Sequence, residues 1–447
     1  MNNRIKIISV FPSLFFILFF CNTATGQLNN GSKVNMADDS LSLRKIIEQV
    51  VSSHPIVKNA EEALNNADAR IELAKTGYYP QAYMVANFSN MGPVIKLSIP
   101  NMGTFMLYPD NNYSAAVNIE QTVYDFGRTK ESILLENKGK DLGLQAVEQV
   151  KQKLSILTVN NFYSMVYIQA AIKIKDEQLA ALNEHLEYVE KMLSTGSATE
   201  YQVLTTKVKI SGVESQKVDL QAALKAQQAS LNSLLGNSQD ISPVVKNELQ
   251  VEVPLMKQDS LLPYAFRNRD EVLLNNKRKS LAELKYDMVK LQNKPMLNLI
   301  ASGGAKNGFI PNLYEIRPNY VIGLGFRVPI FDGMKNKFNL QQANSAITSI
   351  GYESESTKRN VSNEIIEAEV YVESAHKKIK QSELQLMQAL KAYSLAETSF
   401  KSGVITNLDM LDAGTAVSET RLMLLKSRID YATSIYRLNA ALGNRLY

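Results

Sequence analysis

The sequence has a single cysteine, Cys21, no tryptophan and only three histidines among 447 residues. One thiol excludes a disulfide framework and any cysteine-based metal site. His54, His185 and His376 are too far apart in sequence to share a ligand spacing, so they read as solvated helix positions. No Ser or Thr nucleophile motif, phosphate-binding loop or dinucleotide fingerprint is present, which argues against an enzyme and implies no cofactor. An excess of one charge is lacking too: 49 basic side chains face 44 acidic ones, a balance that implies no nucleic-acid partner. Beyond residue 26 no apolar run reaches 18 residues. If the mature chain enters a membrane, it must do so with β-strands, because only helices and closed barrels satisfy the backbone in lipid.

Residues 1–26 read as a secretory signal peptide. Arg4 and Lys6 precede the apolar run from Ile7 to Phe20, and Ala24-Thr25-Gly26 offers small residues for cleavage before Gln27. Lipid attachment at Cys21 is the weaker reading, since Phe20 stands where a small residue is normally needed. Cleavage after Gly26 leaves a chain, 27–447, with no cysteine at all.

That chain contains a duplication. Leu193-Ser194-Thr195-Gly196-Ser197-Ala198-Thr199 returns 207 residues later as Phe400-Lys401-Ser402-Gly403-Val404-Ile405-Thr406, and the register holds through Leu204 with Leu411 to Gly236 with Gly443. Each copy reads as the tip of a helical hairpin, with a glycine that ends one helix and a threonine that caps the next. A second offset, 215, relates Val57 to Val272, Ala67 to Ala282 and Pro80 to Pro295. Two interlocked halves of one domain follow: repeat one at about 40–237, a proline-bearing linker at 238–258 packed on the outside of the bundle, and repeat two at about 259–447.

Within each half the period changes twice. A first helix is expected from about Ser42 to Lys75, with its mate starting near Asp259. After Pro80 and Pro295 the period becomes two, most clearly in Tyr113 to Tyr124 and Tyr320 to Ile330. Their apolar faces carry Val117 and Ile119, and Ile322 and Leu324, as candidate lipid contacts. Such strands have the length a tilted membrane strand needs, and tyrosines cluster at their ends. A half-buried soluble hairpin would alternate in the same way. Very long helical patterns follow, ending near Ser194 and Ser402, with heptad steps at Val147, Val150, Leu154 and Leu157 and again at Leu422, Leu425, Ile429 and Ala432. These are antiparallel coiled-coil seams. With the less cleanly alternating strands before them, about Gln81 to Asn90 and Met296 to Phe309, each chain has four membrane strands; four cannot close a barrel, so several copies must share one.

The order of these parts resembles the TolC family of outer-membrane efflux channels. Tyr79-Pro80-Gln81, the junctions Val123-Tyr124-Asp125-Phe126-Gly127 and Pro329-Ile330-Phe331-Asp332-Gly333, and the tip from Gly403 to Ala413 carry the resemblance, which covers about Ser40 to Tyr447. It implies a mainly α protein with a transmembrane β-barrel portion: a homotrimer that shares a twelve-stranded barrel in the outer membrane and continues as an α-helical tunnel through the periplasm. It also implies docking to a periplasmic adaptor and an inner-membrane pump. Residue by residue, Asp409 and Asp412 match positions that line the closed periplasmic entrance. The helix dipole would favour acids there in any case. At Lys401 and Ile405 the chain departs from the family's polar lock. Gly196, Ser197, Thr199, Gly403, Val404 and Thr406, at the exposed tips, are the expected adaptor contacts. The expected function is a passive exit duct in efflux or type I secretion, and the alternative is a soluble periplasmic coiled-coil scaffold.

Overall fold

The computed structural model describes residues 41–100, 103–249 and 258–447. The expected signal peptide, including Cys21, lies outside the described residues.

α1 (Leu43–Ser53) buries Leu43, Ile46, Ile47 and Val50, the i, i+3, i+4, i+7 stripe of an amphipathic helix. The single helix expected from Ser42 to Lys75 is broken at His54, where α2 (Pro55–Lys75) begins. A residue before proline is pushed out of the helical region; His54 sits at φ −65° and ψ 132°, and its Nδ1 accepts from Ile56 N at 3.2 Å. The mate repeats this break. Arg269, 215 residues on, takes φ −66° and ψ 128° between α5 (Gln258–Asn268) and α6 (Asp270–Leu291) without a proline after it.

β1 (Gln81–Asn90), β4 (Asn111–Tyr124), β5 (Met296–Lys306) and β6 (Arg317–Arg327) form one antiparallel sheet in the order β1-β4-β5-β6. Between β1 and β4 lies a separate two-stranded hairpin, β2 (Lys96–Ile99) with β3 (Gly103–Met106). Sequence periodicity missed it, because four-residue strands are too short to establish a period. β4 and β5 approach so closely that a Cβ at Gly304 would lie 2.1 Å from the Ala115 carbonyl oxygen. Only glycine fits there.

The long helices keep the duplication to the residue. α3 (Arg128–Ser194) and α7 (Lys335–Lys401) have 67 residues each, and α4 (Glu200–Leu235) and α8 (Asn407–Leu442) have 36 each. At 1.5 Å per residue the longer pair spans about 100 Å. Each long helix is entered through two consecutive residues with positive φ: Phe126 and Gly127 before α3, Gly333 and Met334 before α7. A preceding aspartate holds each turn. Asp125 accepts from Gly127 N at 2.9 Å and from both Thr129 N and its hydroxyl at 2.6 Å, while Asp332 accepts from Asn336 N at 2.9 Å.

The core has two equivalent centres. In one, α1, α3 and α4 bury Ile46, Val50, Leu154, Phe162, Tyr163, Met165 and Leu231; in the other, α5, α7 and α8 bury Leu261, Ala265, Val361, Ile365, Leu438 and Leu442. Burying each such large side chain contributes about 1.5–3 kcal/mol. Leu157, expected in the seam, is 52% exposed. The seam passes through the fully buried Ser155 and Thr158 instead, whose hydroxyls are satisfied by the helix's own carbonyls of Lys151 and Leu154. Of the linker, residues 238–249 are pinned: Val245 pairs with Leu41, and Asn232 Nδ2 donates to Ile241 O at 2.7 Å.

Candidate functional site

The two helical tips are built alike. Gly196 (φ +78°) and Gly403 (φ +74°) end the long helices; Gly196 N donates to Leu193 O at 3.0 Å and Ser197 N to Met192 O at 2.8 Å, as Gly403 N does to Phe400 O at 2.9 Å and Val404 N to Ser399 O at 2.8 Å. This paired bonding satisfies the last carbonyls, and the left-handed residue it needs is free of cost only for glycine. Thr199 and Thr406 then cap α4 and α8 through reciprocal bonds with Gln202 and Asp409. Ser197 and Val404 lie exposed at the ends.

The tips differ at the first residue of the second helix. Glu200, the first residue of α4, is exposed, whereas its counterpart Asn407 is 3% exposed. Asn407 Nδ2 donates to Gln202 O, Thr205 Oγ1 and Thr206 Oγ1, each at 3.2 Å. Its Oδ1, an acceptor only, accepts a hydrogen bond from His185 Nε2–H at 2.7 Å. The His185 ring in turn stands 5.1 Å from that of Phe400, which packs with Val189, Val203 and Met410. His185 is therefore not a solvated helix position: with Asn407 it ties the second hairpin to the first. The signal available in the sequence was the Glu200-to-Asn407 difference within an otherwise parallel repeat.

Asp409 and Asp412 have unequal surroundings. Asp409 Oδ2 accepts from Thr406 N at 2.9 Å and from the Thr406 hydroxyl at 2.7 Å. That hydroxyl, and then the amide, hold its carboxyl below the usual carboxylate range. The exposed carboxylate of Asp412 has no such cap and borders a groove between α4 and α8 with Tyr201, Leu204, Leu408, Lys209 and Glu419. Lys175 lines the same groove; burial pushes its ammonium pKa down, and Gln178 Oε1 accepts from it at 3.1 Å. Lys401 pairs with Glu397 at 2.7 Å, and Ile405 joins the apolar cluster around Phe400.

At the opposite end, strand register gathers the predicted apolar residues on one face. Ile119 pairs with Ala301 and that with Ile322; Val117 lies opposite Met84 and Gly303; Gln121, Leu299 and Leu324 form the next row. Val117, Ile119, Ile322 and Leu324 are all at least 40% exposed. The other face carries Asn118, Glu120, Ser302 and Tyr83, whose hydroxyl donates to Glu120 Oε1 at 2.7 Å. Where sheet meets helices, Arg128 of repeat one clamps repeat two. Its guanidinium donates to Leu291 O at 2.7 Å, Gln292 O at 2.8 Å and Lys294 O at 2.5 Å, filling the carbonyls left open at the end of α6. Among the described residues there is no His, Cys, Asp and Glu group suited to a metal ion.

The chain matches the model of the outer membrane efflux protein family over residues 46–237 and 268–444. It is 22% identical over 346 residues to the alkaline protease secretion protein AprF of Pseudomonas aeruginosa, a match that covers 74% of this chain and 70% of that protein. With the outer membrane protein TolC of Escherichia coli it shares 20% identity over 432 residues, 93% of this chain and 84% of that one. Among solved structures it is similar to CusC, with a TM-score of 0.76 at 19% identity over 90% of this chain and 92% of the other. It is also similar to the outer membrane protein VceC of Vibrio cholerae, at 0.73 and 18% over 91% and 97%.

Proposed function

The chain belongs to the outer membrane efflux protein family, and from that premise we propose that three copies form one duct, each adding four strands to a shared twelve-stranded barrel and two helical hairpins to a periplasmic tunnel. The protein is an outer-membrane exit duct, not the soluble scaffold. The observation that carries the assembly is the sheet β1-β4-β5-β6, whose first and last strands are both unpaired edges and whose one face is apolar and exposed. An open edge in lipid strands backbone donors and acceptors, and pairing β6 of one copy with β1 of the next removes every edge. On this reading Val117, Ile119, Ile322 and Leu324 face lipid, and Asn118 and Glu120 face the lumen.

The duct conducts passively, in series with a periplasmic adaptor and an inner-membrane pump on other chains. Gly196, Ser197, Thr199, Gly403, Val404 and Thr406 are the surface offered to the adaptor. Asp409 and Asp412 close the periplasmic end as a ring of six carboxylates, a standard means of cation selectivity in pores. Residues 1–26 direct export and are removed. Relatives are named for protease secretion and for cation efflux, so the same architecture serves unlike cargo and the pump selects it. Fractionation and an unboiled gel test the assembly. The expected result is an outer-membrane species of trimer mobility that collapses to monomer on boiling; a soluble monomer would refute it.

A further inference from the structure

At the end of the sheet remote from the helices, β1 and β4 are joined through the β2–β3 hairpin. Leu97 lies opposite Phe105 and Ile99 opposite Gly103, and Leu107 N donates to Ile95 O at 3.3 Å. Residues two apart on a strand share a face. Ile95, Leu97, Ile99, Phe105 and Leu107 therefore make one continuous apolar face, every member at least 37% exposed. The reverse face carries Lys96, Ser98, Thr104 and Met106, with the two hydroxyls 3.0 Å apart.

The reverse face is the one already engaged. Tyr314, in the loop between β5 and β6, reaches Met106 Sδ at 3.8 Å and donates to Asp110 Oδ1 at 3.0 Å. Asn307 of the same loop is tied to β4, accepting from Tyr113 N at 2.8 Å and donating to Asn111 O at 2.7 Å. The chain's own β5–β6 loop thus lies on the polar side of the hairpin. The apolar side looks the other way.

We propose that this apolar face docks on the β5–β6 loop of the neighbouring copy, making a clasp between subunits at the outer rim of the barrel. The proposal rests on the shared-barrel reading above. Pairing β1 with the next copy's β6 sets that copy's β5–β6 loop directly beside the hairpin that grows out of β1. That loop carries matching apolar surface: Ile310 is 75% and Ile316 59% exposed, and neither belongs to a core cluster of its own chain. The hairpin stands beyond the strands, in water, where five exposed apolar side chains favour a covered state. One loop therefore binds two hairpins, its own on the polar side through Tyr314 and the neighbour's on the apolar side through Ile310 and Ile316.

Two thiol pairs test the contact in a Cys21→Ser background, where they are the only cysteines: Leu97→Cys with Ile310→Cys, and Phe105→Cys with Ile316→Cys. Isolated outer membranes are oxidised, then run boiled and without reductant. The clasp predicts covalent dimers and trimers from at least one pair and monomer from each single variant. Monomer from both pairs, while unboiled samples still run as trimers, overturns the clasp and leaves the barrel standing. Covalent dimers from Leu97→Cys alone mean that hairpins meet one another on the axis, and they overturn it as well. So does reaction of Leu97→Cys with a membrane-phase maleimide but not with an aqueous one, which assigns the face to lipid. Absence of the unboiled trimer in the unsubstituted protein overturns the barrel reading and the clasp together.

Discussion

Asn407 is the side chain on which the two tips depend. It is nearly inaccessible, and its amide serves three acceptors and the His185 donor. Asn407→Ala leaves a half-buried N–H without its partner and is expected to cost about 1–3 kcal/mol. Loss should be local: trypsin should cut after Lys401 sooner than in the parent while the unboiled trimer persists, and unchanged cleavage would reduce Asn407 to a passive core residue. At Asp409, hydrogen bonds lower the folded pKa, so its capping contribution is present above the unfolded carboxylate value and is lost only as pH falls through the lower folded one. Mild acidification should leave the α8 cap in place. Because Asp409→Asn keeps an oxygen for Thr406 and Asp412→Asn disturbs no cap, both variants should assemble. In planar-bilayer conductance, each should weaken block by divalent cations and the pair more than either. Undiminished block in the double variant would return Asp409 to capping alone.

For the strands, period two located β4 and β6, while register needed the backbone bonding that pairs Ile119 with Ala301 and Ile322. If that face meets lipid, Ile119→Arg costs about 2–4 kcal/mol at mid-membrane, and Asn118→Arg, on the opposite face, costs far less. The check is the fraction of each variant that runs as trimer on an unboiled gel. Equal assembly would refute the face assignment. For the helices, apolar spacing located α1 to α8 but not their breaks. His54 was foreseeable from Pro55, but Arg269 was not: it adopts the same conformation with Asp270 next in the chain. Packing holds it there, with its guanidinium donating to Glu271, Glu364 and the Ala440 carbonyl.

In the whole molecule, the two halves are stitched by charges whose partners lie far apart in sequence. Arg445 donates to both oxygens of the buried Asp270 of its own repeat at 2.7 and 2.8 Å and holds its Nε 3.8 Å from Glu148 of repeat one, while Gln152 donates to Asn444 O at 2.8 Å, so the chain's last described residues close onto α3 and α6. Arg128 does the same at the sheet, from repeat one to repeat two. Both contacts depend on an arginine without a counterpart in the other repeat: Lys335 matches Arg128, and Ser238 matches Arg445. Duplication therefore explains the frame, and its exceptions explain how the copies hold each other.

What the sequence by itself determined is what repeats or alternates: two offsets, the paired tips with their glycines and capping threonines, and the strand faces at Val117 and Ile322. These are local consequences of backbone geometry, in which period and caps follow from neighbours a few residues away. Tertiary structure alone decided the rest: the burial of Asn407 against His185, the exposure of Leu157, the two-faced β2–β3 hairpin and the open edges at β1 and β6. The hairpin is local, but its four-residue strands are too short to show a period; the others depend on which surfaces meet across distant parts of the chain, and side-chain period carries no record of the partner.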